Sequence, residues 1–316
     1  MFSNRITDLV GCDIPILQAP MGYIARSQLA SAVANAGAIG MIETSSGDLD
    51  AAREEIRRMP ELAPGKPFAV NVAQAFVRDP AIVEFVIEQG VTFVTTSAGD
   101  PTRYTRQLKD AGITVFHVVP SLRAALKAVD AGVDGLVVEG SEGGGFKNPR
   151  DVSTMVLLPL VASKVDVPII AAGGFLDGRT MAAAFALGAE GVQMGTRMVA
   201  AAESPIHDNW KQAIVDAAET GTVLLNRHRA PAVRVLRTEL TESLEFDTTA
   251  NAMVAMAGVQ QLYFGGDLEA GLPFSGQVAG RIDAVRPIAE VIEECARECL
   301  EVLASLSEQY LGAAGR

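Results

Sequence analysis

A short phrase recurs along this chain: Ala36-Gly37-Ala38, Gln89-Gly90-Val91, Ala111-Gly112-Ile113, Ala131-Gly132-Val133 and Leu187-Gly188-Ala189. Each phrase closes a helix-like segment and opens an apolar run. Glycine just past a helix end takes the left-handed conformation that other residues resist, and the chain then turns directly into a strand. The runs that follow, at 39–42, 93–96, 114–119, 136–138 and 192–194, are almost continuously apolar, as strands covered on both faces must be. Three more runs, at 15–18, 68–72 and 168–172, lack the phrase. Eight strands at a spacing of roughly 20–35 residues predict an α/β fold, a (βα)8 TIM barrel; a doubly wound open sheet is the rival.

Beyond residue 205 the rhythm breaks. Residues 206–265 read as a helical and irregular appendage or lid near the barrel mouth, and 288–311 as one long amphipathic helix. The expected organisation is a barrel over 1–205 with part of 266–316, plus a C-terminal helical appendage. With 26 Lys+Arg against 38 Asp+Glu the net charge is −12, and no basic cluster marks a nucleic-acid footprint or an anionic membrane surface. No run of about 18 apolar residues and no apolar leader is present, so a cytoplasmic protein with a small-molecule substrate is expected, with a homo-oligomer left open. Cys12, Cys295 and Cys299 suit neither a disulfide framework nor a zinc site.

Ligands of parallel barrels bind at the carboxyl ends of the strands. The seventh run, 168–172, passes into Gly173-Gly174, and the eighth into Gly195-Thr196. Glycines at these two ends leave backbone amides open to an anion, which predicts a phosphate cradle; taken singly, either pair would be no more than a tight turn. The sixth run ends in Glu139 and a loop carrying Gly143-Gly144-Gly145, through which a flat ligand can approach the backbone. In the third run Asn71 is a polar amide among apolar neighbours and needs partners if buried.

Five segments fall in an order that resembles the nitronate monooxygenase (2-nitropropane dioxygenase) family, which includes flavin-dependent enoyl-ACP reductases and NADH:quinone reductases. They are Gln18-Ala19-Pro20-Met21-Gly22, Pro67-Phe68-Ala69-Val70-Asn71, the loop 139–145, Ala171-Ala172-Gly173-Gly174 and Gln193-Met194-Gly195-Thr196-Arg197. Segments 235–239 and 275–280 are similar too. The resemblance implies FMN in the barrel mouth, with Met21 and Gly22 lining the ring and Asn71 and Glu139 touching the flavin. It also implies Gly144, with Gly145 beside it, facing the flavin, and Gly173, Gly174, Gln193, Met194, Gly195 and Thr196 around the phosphate.

One position departs from the pattern. Many members read Glu-Ala-Gly-Gly-His in the sixth loop, and here Phe146 occupies the histidine position. Phenylalanine neither accepts a proton nor stabilises an anion. His117, near the end of the fifth run, and Lys147 are the remaining catalytic candidates, His117 only if it points into the barrel, while Lys147 reads first as a solvated loop lysine. His207 and His228 read as surface residues, and His228 lies among Arg227, Arg229 and Arg234, which suit an acidic substrate tail. The expected activity is FMN-dependent oxidation of alkyl nitronates by O2. NAD(P)H-dependent reduction of an enoyl thioester or quinone is the alternative, and two further readings are a low-turnover flavin-binding protein and a flavin-free barrel for a phosphorylated substrate.

Overall fold

The computed structural model describes residues 2–77 and 79–312. Eight parallel strands form the barrel: β1 (Ile16–Gln18), β2 (Gly40–Glu43), β3 (Phe68–Ala73), β4 (Phe93–Ser97), β5 (Thr114–Val119), β6 (Gly135–Glu139), β8 (Ile169–Ala172) and β9 (Gly191–Met194). Their order around the sheet is β1-β9-β8-β6-β5-β4-β3-β2, and a parallel bridge from Leu17 to Ile39 joins the first strand to the last. The five phrase glycines, 37, 90, 112, 132 and 188, all have positive φ, which is the helix-to-strand turn their spacing predicts.

Strand alternation sorts the residues into two cores. Leu17, Met41, Ala69, Phe93, Phe116, Val137 and Ile170 fill the barrel interior, with the rings of Phe93 and Phe116 edge to face at 5.2 Å. Ile16, Ile42, Val70, Val94, Val115, Val138 and Val192 face the helices. The helix Arg5–Val10, capped by Asn4, packs Ile6 and Val10 into the interior cluster, which closes one end of the barrel and leaves the strand carboxyl ends as its mouth.

The helix Ile288–Leu311 packs against the helices Gly178–Ala186 and Ser27–Asn35, filling the outer layer between the seventh and first βα units. Contact is close enough that a Cβ on Gly178 would lie 2.3 Å from the Cys299 backbone nitrogen. Cys295 and Cys299 are buried in this seam, and burial pushes the Cys295 thiol up to about 12 and that of Cys299 to about 11.

Residues 206–265, expected to be helical and irregular, also contain two strands, β10 (Thr222–Leu225) and β11 (Ala232–Leu236). They pair antiparallel with each other, and β11 pairs with β7 (Gly145–Lys147), a short strand made from the loop after β6. The inserted segment is therefore hydrogen-bonded to a mouth loop. Val223, Leu225, Val233, Val235, Ala252 and Leu272 form its own small core.

Candidate active site

The inward row at the mouth follows from register. Glu43, Asn71, Glu139 and Gln193 share the parity of Met41, Ala69, Val137 and Gly191, and so belong to the interior face. Asn71 is buried, donates from Nδ2 to Thr95 Oγ1 at 2.8 Å and accepts from Ser97 Oγ at 3.3 Å. Gln193 is also buried, but its Oε1 has no partner, the condition of a group built to meet a ligand.

The loops after β6, β8 and β9 meet. A Cβ on Gly173 would lie 2.9 Å from the Gly140 oxygen, whereas one on Gly174, at φ +98°, would meet nothing nearer than Glu142 Cβ at 3.8 Å. Gly174 thus opens onto space that only a glycine leaves clear at this dihedral. Among the described residues, the amides of Gly174, Phe175, Gly195 and Thr196 donate to no acceptor. Free amides at two neighbouring strand ends are suited to an anion. Met21 adjoins them, its Sδ 4.0 Å from where a Cβ on Gly195 would stand, and Gly22 lies against Ser45. The side chain of Met194 does not join them. It packs in the helix-side core, and only its backbone oxygen, which accepts from Ala19 N at 2.9 Å, reaches the strand end.

A clasp holds the sixth loop over the free amides. Gly144 is pressed against the segment 275–276, where a Cβ would come within 2.8 Å of the Gly276 nitrogen, so no larger residue fits. Gln277 N donates to Glu142 O at 2.9 Å, and Gly276 N donates to Thr196 Oγ1 at 2.8 Å. The buried Arg234 adds a bond from Nε to Ser141 O at 2.8 Å, and burial lowers its pKa. Gly145 lies at φ +79° with open space beside it, at the start of β7.

The two catalytic candidates land elsewhere in the chemistry. His117 shares the parity of Val115 and Val119, which belong to the helix-side core, so it faces away from the mouth. It is 4% exposed, its Nδ1 is 2.6 Å from Thr96 Oγ1, and burial depresses its pKa to about 4. The condition attached to His117, an inward-pointing ring, is not met. Lys147 is not the solvated lysine a glycine loop suggests. Its side chain is 5% exposed, and its Nζ reaches Glu139 Oε1 at 2.6 Å, Gly144 O at 3.1 Å and Phe146 O at 3.3 Å. An ammonium has three donors, and all three are used, so Lys147 is a strut of the loop.

Two features escaped sequence reasoning. Glu43 is fully buried and accepts from Tyr23 N at 3.1 Å, Ser45 Oγ at 2.8 Å, Ser46 N at 2.8 Å and Arg26 Nη2 at 3.0 Å. It ties the loops after β1 and β2 together, and holds Tyr23 at φ +65°. The signal was a carboxylate ending an apolar run at 40–42. The second is an aromatic rim. Phe146, 37% exposed, lies 5.5 Å from Phe76 and 5.4 Å from Phe274, ring centre to ring centre. Three phenylalanines from three segments make an apolar patch where the resemblance leads one to expect a histidine.

Comparison with known proteins agrees with this geometry. A family model described as Nitronate monooxygenase matches residues 3–84 and 73–298. A Mycobacterium tuberculosis protein named (3aS,4S,5R,7aS)-5-hydroxy-7a-methyl-1-oxo-octahydro-1H-indene-4-carboxyl-CoA dehydrogenase is 37% identical over 79% of this chain and 70% of its own length. A probable nitronate monooxygenase of Staphylococcus saprophyticus is 30% identical over 78% of this chain and 82% of its own. Among solved structures, FabK from Thermotoga maritima superposes with a TM-score of 0.90 at 38% identity, covering 98% of this chain and all of that one. Barrel, mouth and ordered segments therefore converge with these matches, and the chain is an oxidoreductase belonging to the nitronate monooxygenase family, a family of flavin-dependent enzymes.

Proposed function

We propose that this chain is an FMN-dependent oxidoreductase that uses NAD(P)H to reduce an apolar, conjugated acyl group carried as a thioester. The observation that carries the reading is Phe146, set between Phe76 and Phe274 at the rim. An aromatic surface there favours contact with a large apolar substrate over a small nitronate anion, which desolvation against three phenylalanines would disfavour. The relative named as a carboxyl-CoA dehydrogenase supports a thioester as the form in which the acyl group is carried.

The residues present fit FMN. Free amides at Gly174, Phe175, Gly195 and Thr196 would hold one phosphate, the unpartnered Gln193 Oε1 faces the interior, and Gly174 opens onto clear space. When bound, FMN supplies two-electron transfer between a nicotinamide and the β-carbon of the acyl group. This chain's side chains bind and orient. The rim gives the acyl group apolar contact, the Lys147–Glu139 pair fixes the glycine loop, and the buried Glu43 fixes Met21 to Tyr23 at the opposite edge. With Lys147 saturated and His117 behind the wall, the α-carbon proton comes from solvent.

The test is anaerobic bleaching of the purified yellow protein by NADH or NADPH, followed by reoxidation with an enoyl-CoA or with a nitronate in the presence of O2. Rapid reoxidation by the thioester and slow nitronate turnover are expected. Fast nitronate oxidation with an inert thioester would restore the nitronate activity as the better reading. Colourless protein that FMN cannot reconstitute would overturn the flavin assignment.

A further inference from the structure

Where β10 turns into β11, Arg227, His228 and Arg229 stand exposed on consecutive residues, and the exposed Arg150 adjoins Asp151, whose carboxylate is 3.6 Å from Arg227. In a chain of net charge −12 this gathers three guanidinium groups at one place. The turn is built rather than loose. Asn226 beneath it is buried, donates from Nδ2 to Pro231 O at 3.4 Å and to Asn251 Oδ1 at 3.2 Å, and accepts from Ala252 N at 3.0 Å. Arg229 Nε donates to His228 Nε2 at 2.9 Å, which aligns the two side chains. The acidic neighbours are Asp151, 3.6 Å from Arg227, and Asp247, whose carboxylate is engaged by Thr249 and Ala250.

Register fixes this turn relative to the rim. Val233 pairs with Phe146 and Ala232 with Lys147, so the turn projects past the end of β7, roughly 10–15 Å along the strand from Phe146. We infer that the turn Arg227–Arg229, with Arg150, binds the phosphorylated adenosine end of a coenzyme A thioester whose acyl group lies against Phe146. The inference rests on the thioester reading above. A pantetheine arm bridges that span, and phosphates crowded on one nucleotide suit guanidinium groups crowded on one turn. The carboxylates of an acidic carrier protein, spread along a helix, match a single turn less well.

The experiment is equilibrium binding to the FMN-loaded protein of CoA, dephospho-CoA, adenosine 3′,5′-bisphosphate and adenosine 2′,5′-bisphosphate, repeated with the R227A/R229A variant. Both side chains are exposed, and the variant's melting temperature is the check on its fold. CoA is expected to bind at least about tenfold more tightly than dephospho-CoA, with that preference lost in the variant and weakened by salt. Equal affinities for CoA and dephospho-CoA, or no effect of the substitutions, overturn the inference. So does a preference for the 2′,5′-bisphosphate, which would assign the turn to a nicotinamide dinucleotide phosphate, or an effect confined to carrier-protein thioesters. Adenosine 3′,5′-bisphosphate carries no acyl group, so arginine-dependent binding of it supports this site even if no thioester is reduced. Turnover of thioesters without phosphate discrimination removes the site and leaves the proposed reaction standing.

Discussion

The two sides of the mouth are made of different material. On the side of β8 and β9 the surface is backbone, with Gly173, Gly174, Gly195 and the open amides around them, and almost no side chain takes part. On the side of β7 and the inserted segment it is side chain: Phe146, Phe76, Phe274 and the buried strut Lys147. Backbone amides recognise a phosphate whatever organic group it carries, whereas a rim of side chains is changed by single substitutions. On the proposed function, cofactor binding and substrate choice are carried by separable parts of one mouth.

That separation is open to direct attack, and the largest effect is expected on the backbone side. Gly174→Val fills the open space before the amides at a dihedral that resists branched residues. FMN affinity should fall by about a thousandfold, as loss of two charge-assisted hydrogen bonds at roughly 1.5–3 kcal/mol each implies. Flavin content after gel filtration measures it, and full retention would break the comparison at its root.

His117 gives the next effect, and it separates a wall residue from a site residue. Its folded pKa of about 4 lies below the ordinary 6.5, so the unfolded chain binds the proton first as pH falls. Stability from this group is intact above pH 6.5 and is lost progressively down to about pH 4, by on the order of 3 kcal/mol. Denaturant unfolding across that range should show the loss, and His117→Asn should flatten it. A kinetic step near pH 6.5 that vanishes in the same variant would instead put the histidine in the reaction.

Phe146→Ala sharpens the other side. Removing a partly exposed ring should cost roughly 1–2 kcal/mol of apolar contact, read as a rise of about tenfold in KM for a long acyl thioester with FMN occupancy unchanged. Phe146→His should raise nitronate turnover at matched flavin content. The smallest effect is expected at the cysteines. Cys12, pushed up to about 12 by burial, and the two thiols of the long helix should resist alkylation in the native protein at pH 8, with mass spectrometry as the readout.

The barrel was legible because each of its strands is buried on both faces and most follow a glycine that must be left-handed. The strands β10 and β11 were not. They are buried as well, but Arg234 interrupts the apolar run of β11, and their partner β7 is a loop in the sequence until the two meet. At the mouth, the open turn at Gly173 and Gly174 could be read because positive φ demands glycine itself. The orientation of His117 could not, since an apolar run on both sides of a residue says nothing about which face it occupies. Lys147 was misjudged for a related reason. A glycine loop looks flexible until the carboxylate eight residues back, Glu139, is seen to seize its ammonium. The resemblance places Met194 in a segment but says nothing of its side chain, which packs in the helix-side core.

The clasp between Glu142, Thr196 and the segment 275–277 also bears on how the protein is made. Synthesis proceeds from the amino terminus, so the ribosome delivers all eight barrel strands before the peptide that fastens the sixth loop exists. A nascent chain released from the exit tunnel as far as residue 205 would have the barrel but neither β11 nor the Gly276 donor, and its cradle would lack the fastening described here. Flavin acquisition is in this sense a late event, and chains stalled within the insert should emerge as colourless barrels that turn yellow only when translation resumes.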